Sequence, residues 1–297
     1  MKNYQYFAGI IKSYPWPEGI QKLTKPDIVD FRSWLLKRHS RDVSRKTLTA
    51  FHSMVLELIS RGVINHDVAA GITVLSTSRY DAPMTLPTEQ EIYELLAAAD
   101  RLANSKNVQT QRTWERYRPM LYLAVDSGMR PQEYLVVSNS ALKETGVKVE
   151  RALEGGGMEI TVPKTRAGHR LIDLSAQTLD MVRHYSAHHA VDNKYDLVFP
   201  SKTGRWQNVP NWNKRGFNRA CEEAGLMVDD KPKYRPYDLR HFYASMLIDQ
   251  RVNLKRIQTL MGHRSIKTTL NVYGHLIERV EAKEQERTSV LTVMNHS

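Results

Sequence analysis

The chain has a single cysteine, Cys221. No disulfide can close within it, and a cysteine-based zinc site is not expected. No apolar run approaches the roughly 18 residues that a membrane span needs. Near the N-terminus, Lys12, Pro15 and Pro17 interrupt any signal-peptide core, so export is not expected and the cytosol is the expected compartment. Internal repeats and low-complexity segments are lacking. No carboxylate cluster suggests a magnesium site, so neither a metal nor a cofactor is expected.

What the chain has is basic charge. Its 297 residues carry a net charge of +11, with 41% hydrophobic residues, enough for two cores. A net positive globular protein is a candidate polyanion binder. The excess is densest in residues 1–80, which hold twelve basic and six acidic side chains.

The first 80 residues read as helical. Thr24 and Asp27 form a capping-box-like pair with Pro26 in the first turn, and Ile28, Phe31 and Leu35 follow on one face. A second helix is expected from Ser44 to Gly62, with Leu48, Phe51, Val55 and Leu58 as its apolar stripe. Its other side offers Arg45, Lys46 and His52, a basic face suited to phosphates. Residues 81–87 are expected to be a linker, around Pro83 and Pro87. Thr88 and Glu91 then open another helix, and a further one runs through Tyr117, Leu121 and Ala124 to Gly128, with Pro131 in the first turn of the next. Near residue 146 the periodicity changes to two. Gly146–Glu150, Met158–Pro163 and Arg170–Leu174 read as strands, the last two as a hairpin turning at 164–168. Met158, Ile160 and Val162 would share one face. Helices resume after Ser175, and 190–215 reads as a loop with an extended piece at 197–200. The expected fold is mainly α with a small antiparallel β-sheet in an α+β catalytic domain, preceded by an all-helical domain.

Four places carry candidate chemistry. In Ser127-Gly-Met-Arg130-Pro-Gln-Glu133 an arginine fork sits at a helix junction, with a carboxylate three residues on to hold it. Lys164, at a hairpin tip, could bind a phosphate or protonate a leaving oxygen. In Arg235-Pro-Tyr237-Asp-Leu-Arg240-His241, Arg240 enters an apolar helix, where a buried cation calls for an anion. In Leu260-Met-Gly-His263 and Thr269-Leu-Asn-Val-Tyr273-Gly-His275, Gly262 ends one helix, His263 occupies the break and Tyr273 closes a short helix.

The order Arg130, Lys164, Tyr237-Asp-Leu-Arg240, His263, Tyr273 resembles the active-site boxes of the tyrosine recombinases, the phage integrase family. The resemblance covers 88–276, and residues 1–80 are similar, more loosely, to the family's core-binding domain. It implies a DNA strand-exchange enzyme acting through a 3′-phosphotyrosine intermediate. Tyr273 would be the nucleophile and Lys164 the general acid. Arg130, Arg240, Tyr237 and His263 would be donors to the phosphate. Arg45 and Lys46 would contact DNA. Tyr237 departs from the family, which usually has histidine there, and a tyrosine is a poor base near neutral pH. Little chain precedes Thr24, so a separate arm-type DNA-binding domain is expected to be absent or removed. The implied role is integration or excision of a mobile element. A Xer-like resolution recombinase, a type IB topoisomerase and a non-catalytic DNA-binding protein of the same fold are the alternatives. The implied partners are double-stranded DNA, further protomers in a tetrameric synapse, and host DNA-bending or excision factors, with no membrane. Residues 277–297, a charged stretch followed by the apolar Val290, Leu291, Val293 and Met294, are expected to form a tail that docks on a neighbouring protomer.

Overall fold

The computed structural model describes residues 2–75, 85–154, 156–163 and 168–282. The chain divides into two compact units, Met1–Met84 and Thr85–Ser297.

The first unit is built on three helices, α1 (Lys2–Ser13), α2 (Lys25–Arg38) and α3 (Arg41–Ser60). The Thr24–Asp27 capping box starts α2, with the Thr24 amide donating to Asp27 Oδ2 at 2.7 Å. Ile28, Phe31 and Leu35 are buried against Leu48, Phe51 and Val55 of α3. α3 begins earlier than expected. Ser40 caps it through the Val43 amide, and Ser44 is buried one turn inside, its hydroxyl donating to the Ser40 carbonyl at 3.0 Å. α1 is a helix the sequence reading did not identify. The segment that follows it contributes Trp16, which stacks on Phe51 at 5.1 Å and donates from Nε1 to the Ile11 carbonyl at 2.9 Å. The prolines on either side of Trp16 thus end a helix and place an aromatic in the core.

In the second unit, the Thr88–Glu91 capping box opens α4 (Glu89–Ala103), which packs along α5 (Val108–Ser127). Gly128 ends α5 in the left-handed region at φ 57°, and Pro131 occupies the first turn of α6 (Pro131–Tyr134). β1 (Leu142–Lys143), β2 (Gly146–Val149) and β5 (Arg170–Asp173) form an antiparallel sheet in the order β1-β2-β5, with Val147 opposite Ile172. β3 (Ala152–Glu154) and β4 (Glu159–Thr161) make a separate hairpin that turns through Gly156 and Gly157 at φ 74° and 89°.

This corrects the expected pairing. β4 faces β3, and β5 returns to β2, because Val147, Val149 and Ile172 are the residues that enter the core. Met158 and Val162 are 71% and 65% exposed, so the alternation there marks an extended strand and not a core face.

α7 (Ala176–His188) starts at the expected cap, Ser175. Leu197 to Phe199 run buried, with Leu197 bridging to Ser138. Helical structure resumes before 215, as α8 (Val209–Asn211), a π-turn over Trp212–Phe217 and α9 (Asn218–Glu223). A two-stranded hairpin, β6 (Met227–Val228) with β7 (Lys231–Pro232), interrupts the helices expected to the end of the chain. α10 (Pro236–Asp249), α11 (Leu254–Leu260) and α12 (Ile266–Ala282) follow. α12 continues well past Tyr273. The sequence reading has Tyr273 close a short helix, but Gly274 after it is not in the left-handed region and stays inside α12. No helix among the described residues is long and apolar enough to cross a membrane.

Candidate active site

Arg130 stands at the N-cap of α6. Its backbone amide donates to Glu133 Oε2 at 2.8 Å and its Nη1 to Oε1 at 2.9 Å. Glu133 is buried and holds a second fork, which the sequence reading missed. Arg170, on β5, donates Nη2 to Oε2 at 2.7 Å and Nη1 to Oε1 at 3.2 Å, and its Nε donates to the Leu260 carbonyl at 2.6 Å. The signal was present: Arg170 and Ile172 lie two apart on a strand, so both point inward, and an inward cation needs an anion. Burial works to raise the Glu133 carboxyl pKa. Hydrogen bonds and charge from Arg170, then the charges of Arg130 and Arg240, outweigh it and hold the group down at about 2.

Arg240, on the second turn of α10, is 1% exposed. Its Nη1 donates to the Gly128 carbonyl at 2.7 Å and its Nη2 to the Met261 carbonyl, while Nη2 also lies 3.3 Å from His263 Nε2. Arg130 Nη2 donates to the next carbonyl along, Gly262, at 3.4 Å. The two arginines therefore tie the end of α5 to the break between α11 and α12. Burial, then the charge of Arg130, pull the Arg240 guanidinium down to about 10, still cationic at neutral pH. Burial also works against the charged form of Arg130, but Glu133 and then Tyr237 outweigh it and its pKa rises.

His263 lies in the break as expected. Its Nδ1 is 2.9 Å from Thr269 Oγ1, and burial followed by the nearby arginines pushes it down to about 3. The imidazole is neutral at pH 7. With Nε2 accepting from Arg240, Nδ1 carries the proton and donates to Thr269. Tyr237 is 40% exposed and lies near enough to Arg130 to be among the groups that raise its pKa.

Tyr273, on the interior of α12, is 1% exposed, and its hydroxyl lies 2.8 Å from Nδ1 of His241 on α10. His241 is a contact the sequence reading did not single out; its one local signal is its place four residues after Tyr237, on the same helix face. Lys164 lies outside the described residues. Arg45 and Lys46 belong to the first unit, where both pair with Asp42, at 3.0 and 2.7 Å.

Chemically, the second unit gathers three guanidinium groups around one carboxylate. Two positive charges are left uncompensated beside a neutral imidazole. Such a cluster favours an anion with several equatorial oxygens.

Residues 87–279 match the family model described as Phage integrase family. The chain belongs to the phage integrase family. This integrase-family recombinase is 23% identical to the ICEBs1 integrase of Bacillus subtilis (strain 168) over 274 residues, 90% of this chain and 70% of that one. It is 25% identical to tyrosine recombinase XerD of Vibrio cholerae serotype O1 over 261 residues, 86% of this chain and 78% of that one. Among solved structures, the Tn1549 transposon integrase in complex with transposon right end DNA shares its fold at a TM-score of 0.75 and 17% identity, covering 95% of this chain and 92% of that one. A lambda integrase dimer bound to a COC′ core site follows at 0.63 and 16%, covering 97% and 91%. The recombinase is thus a tyrosine-type DNA strand-cleaving and rejoining enzyme with the mainly α, small-sheet fold of its family.

Proposed function

We propose that the recombinase cuts and rejoins double-stranded DNA through a covalent bond between Tyr273 and a 3′-phosphate, in the integration or excision of a mobile element. The observation that carries this is the set of Arg130, Arg240 and His263 around one break in the chain, with Tyr273 on the helix that follows it. Phosphoryl transfer needs charge stabilisation on the equatorial oxygens and a proton for the leaving oxygen. Arg130 and Arg240 supply the forks, and Tyr237 and His263 add hydrogen bonds. Lys164 protonates the departing 5′-oxygen. The phosphotyrosine keeps the bond energy, so rejoining needs no nucleotide.

The mobile-element role is supported by the names of relatives, the ICEBs1 integrase and the transposase from transposon Tn916 of Enterococcus faecalis. DNA as partner is supported by the DNA complexes of the Tn1549 integrase. In the first unit, Arg45 and Lys46 meet the phosphate backbone; because both share Asp42, the trio keeps one net positive charge. Residues 277–297, of which 283–297 lie outside the described residues, dock on a neighbouring protomer of a tetrameric assembly. The XerD likeness favours a second reading, resolution at a fixed chromosomal site.

A suicide duplex nicked beside the cleavage site tests the chemistry. The wild-type protein should trap covalently, and Tyr273→Phe should bind the duplex but form no covalent complex. Undiminished trapping by the variant would remove Tyr273 from the reaction. Mapping covalent attachment across a pool of element-end and chromosomal sequences separates the two biological readings.

A further inference from the structure

In strand cleavage the Tyr273 hydroxyl must lose its proton as it attacks phosphorus. Tyr237, beside the arginines, offers a phenol O–H, a group suited to donating to a phosphate oxygen. One helical turn further along α10 stands His241, with Nδ1 2.8 Å from the Tyr273 hydroxyl. The ring meets Tyr273 edge-to-face, with centroids 5.7 Å apart, and meets Tyr237 edge-to-face at 5.2 Å. It is held between the two tyrosines on a regular stretch of helix, a site that fixes ring position and aim. Burial pushes the imidazole pKa down, and the neighbouring charge of Arg240 adds to this against the pull of Asp238. At pH 7 the ring is neutral and one nitrogen has a free lone pair.

We propose that His241 is the general base for Tyr273. The proposal rests on the reading of Tyr273 as nucleophile. As the Oη–P bond forms, the O–H bond of Tyr273 breaks and its proton passes to His241 Nδ1, giving an imidazolium protonated on both nitrogens. The P–O5′ bond breaks, and the departing oxygen takes its proton from a separate acid, the role given above to Lys164. In rejoining, an incoming 5′-hydroxyl gives its proton back to the deprotonated acid as its oxygen displaces Tyr273, and the imidazolium returns its proton to Oη. One residue thus serves both directions, as reversibility requires.

Single-turnover trapping on the suicide duplex tests the assignment in wild type, His241→Ala and His241→Asn. Asparagine keeps a carbonyl acceptor near the place of Nδ1 but cannot take up a proton. Both variants should bind DNA as the wild type does and cleave more slowly by about 100-fold or more. A fluorinated tyrosine at position 273, whose hydroxyl is more acidic, should raise the rate of the His241→Asn protein at least about tenfold, and by more than it raises the wild type. His241→Asn cleaving within about twofold of wild type would overturn the proposal, because a hydrogen bond alone would then suffice. An equal effect of the fluorinated residue in both backgrounds would overturn it too. Should His241→Ala fail to fold, those two arms still decide. No covalent product from the wild type would overturn the nucleophile reading itself.

Discussion

Replacing Glu133 by glutamine tests whether one buried carboxylate organises the arginine cluster. Its two oxygens receive four N–H groups, two from Arg130 and two from Arg170, at 2.7–3.2 Å. Folding moves its pKa from 4.5 to about 2. At about 1.4 kcal/mol per unit, the ionised carboxylate stabilises the folded protein by roughly 3 kcal/mol. Glutamine turns one acceptor into a donor aimed at a guanidinium and leaves three cations without their anion. That places the expected loss at about 3–5 kcal/mol. Urea unfolding at pH 7 measures it. The pH dependence gives a second reading with a fixed sign. Because the folded pKa lies below the unfolded one, this stabilisation is complete above about pH 4.5 and is lost as pH falls from there toward 2. The wild type should show that slope and Glu133→Gln should lack its Glu133 part. Trapping on the suicide duplex should also fall, since Arg130 loses its anchor. A variant within about 0.5 kcal/mol of wild type, with an unchanged acid limb, would refute the view of Glu133 as the counter-charge of the site.

His263 should stay neutral far below the ordinary imidazole range, since its pKa is pushed from 6.5 to about 3. Its ring resonances should not titrate between pH 8 and 5, and an NMR inflection near 6.5 would contradict the cationic surroundings described for it. Its contribution to stability has the same sign as that of Glu133 and is lost as pH falls through 6.5 toward 3. Gly128→Ala should destabilise by about 2–4 kcal/mol, because an alanine there is strained at positive φ and its methyl would overlap Tyr243. The added Cβ would lie 2.2 Å from Tyr243 Cδ1, on the residue whose carbonyl holds Arg240, so cleavage should fall as well. An unchanged urea midpoint would show that the turn adapts. Lys164→Ala should cleave slowly on ordinary DNA and nearly normally on a duplex whose 5′ leaving oxygen is sulfur, which departs without protonation. Equal defects on both substrates would remove Lys164 from the acid role.

Which parts of this molecule are legible in the sequence follows from the range of the interactions. Thr24 with Asp27, Thr88 with Glu91, Pro131 at the start of α6 and Gly128 at the end of α5 are signals within four residues, and each stands where the sequence places it. Arg130 with Glu133 belongs to the same class. The strand partners do not. Met158, Ile160 and Val162 alternate as well as Val147 and Val149 do, and only the folded core decides that β5 pairs with β2 across the intervening hairpin. The same limit divides the candidate site. The family string points to Arg130, Arg240 and Tyr273, yet each depends on a group far away in the chain. Arg240 is held by Gly128, Arg130 shares Glu133 with Arg170, and Tyr273 meets His241. A local pattern can mark an arginine as destined for an anion, but it cannot say which neighbours will already have taken its forks. Here Arg240 spends its forks on the Gly128 and Met261 carbonyls and on His263, while Glu133 is shared between Arg130 and Arg170. Positive charge therefore outnumbers negative in a cluster of fixed geometry. That imbalance, a property of the assembled unit and of no single motif, favours an anion, and the phosphodiester of the proposed reaction is one.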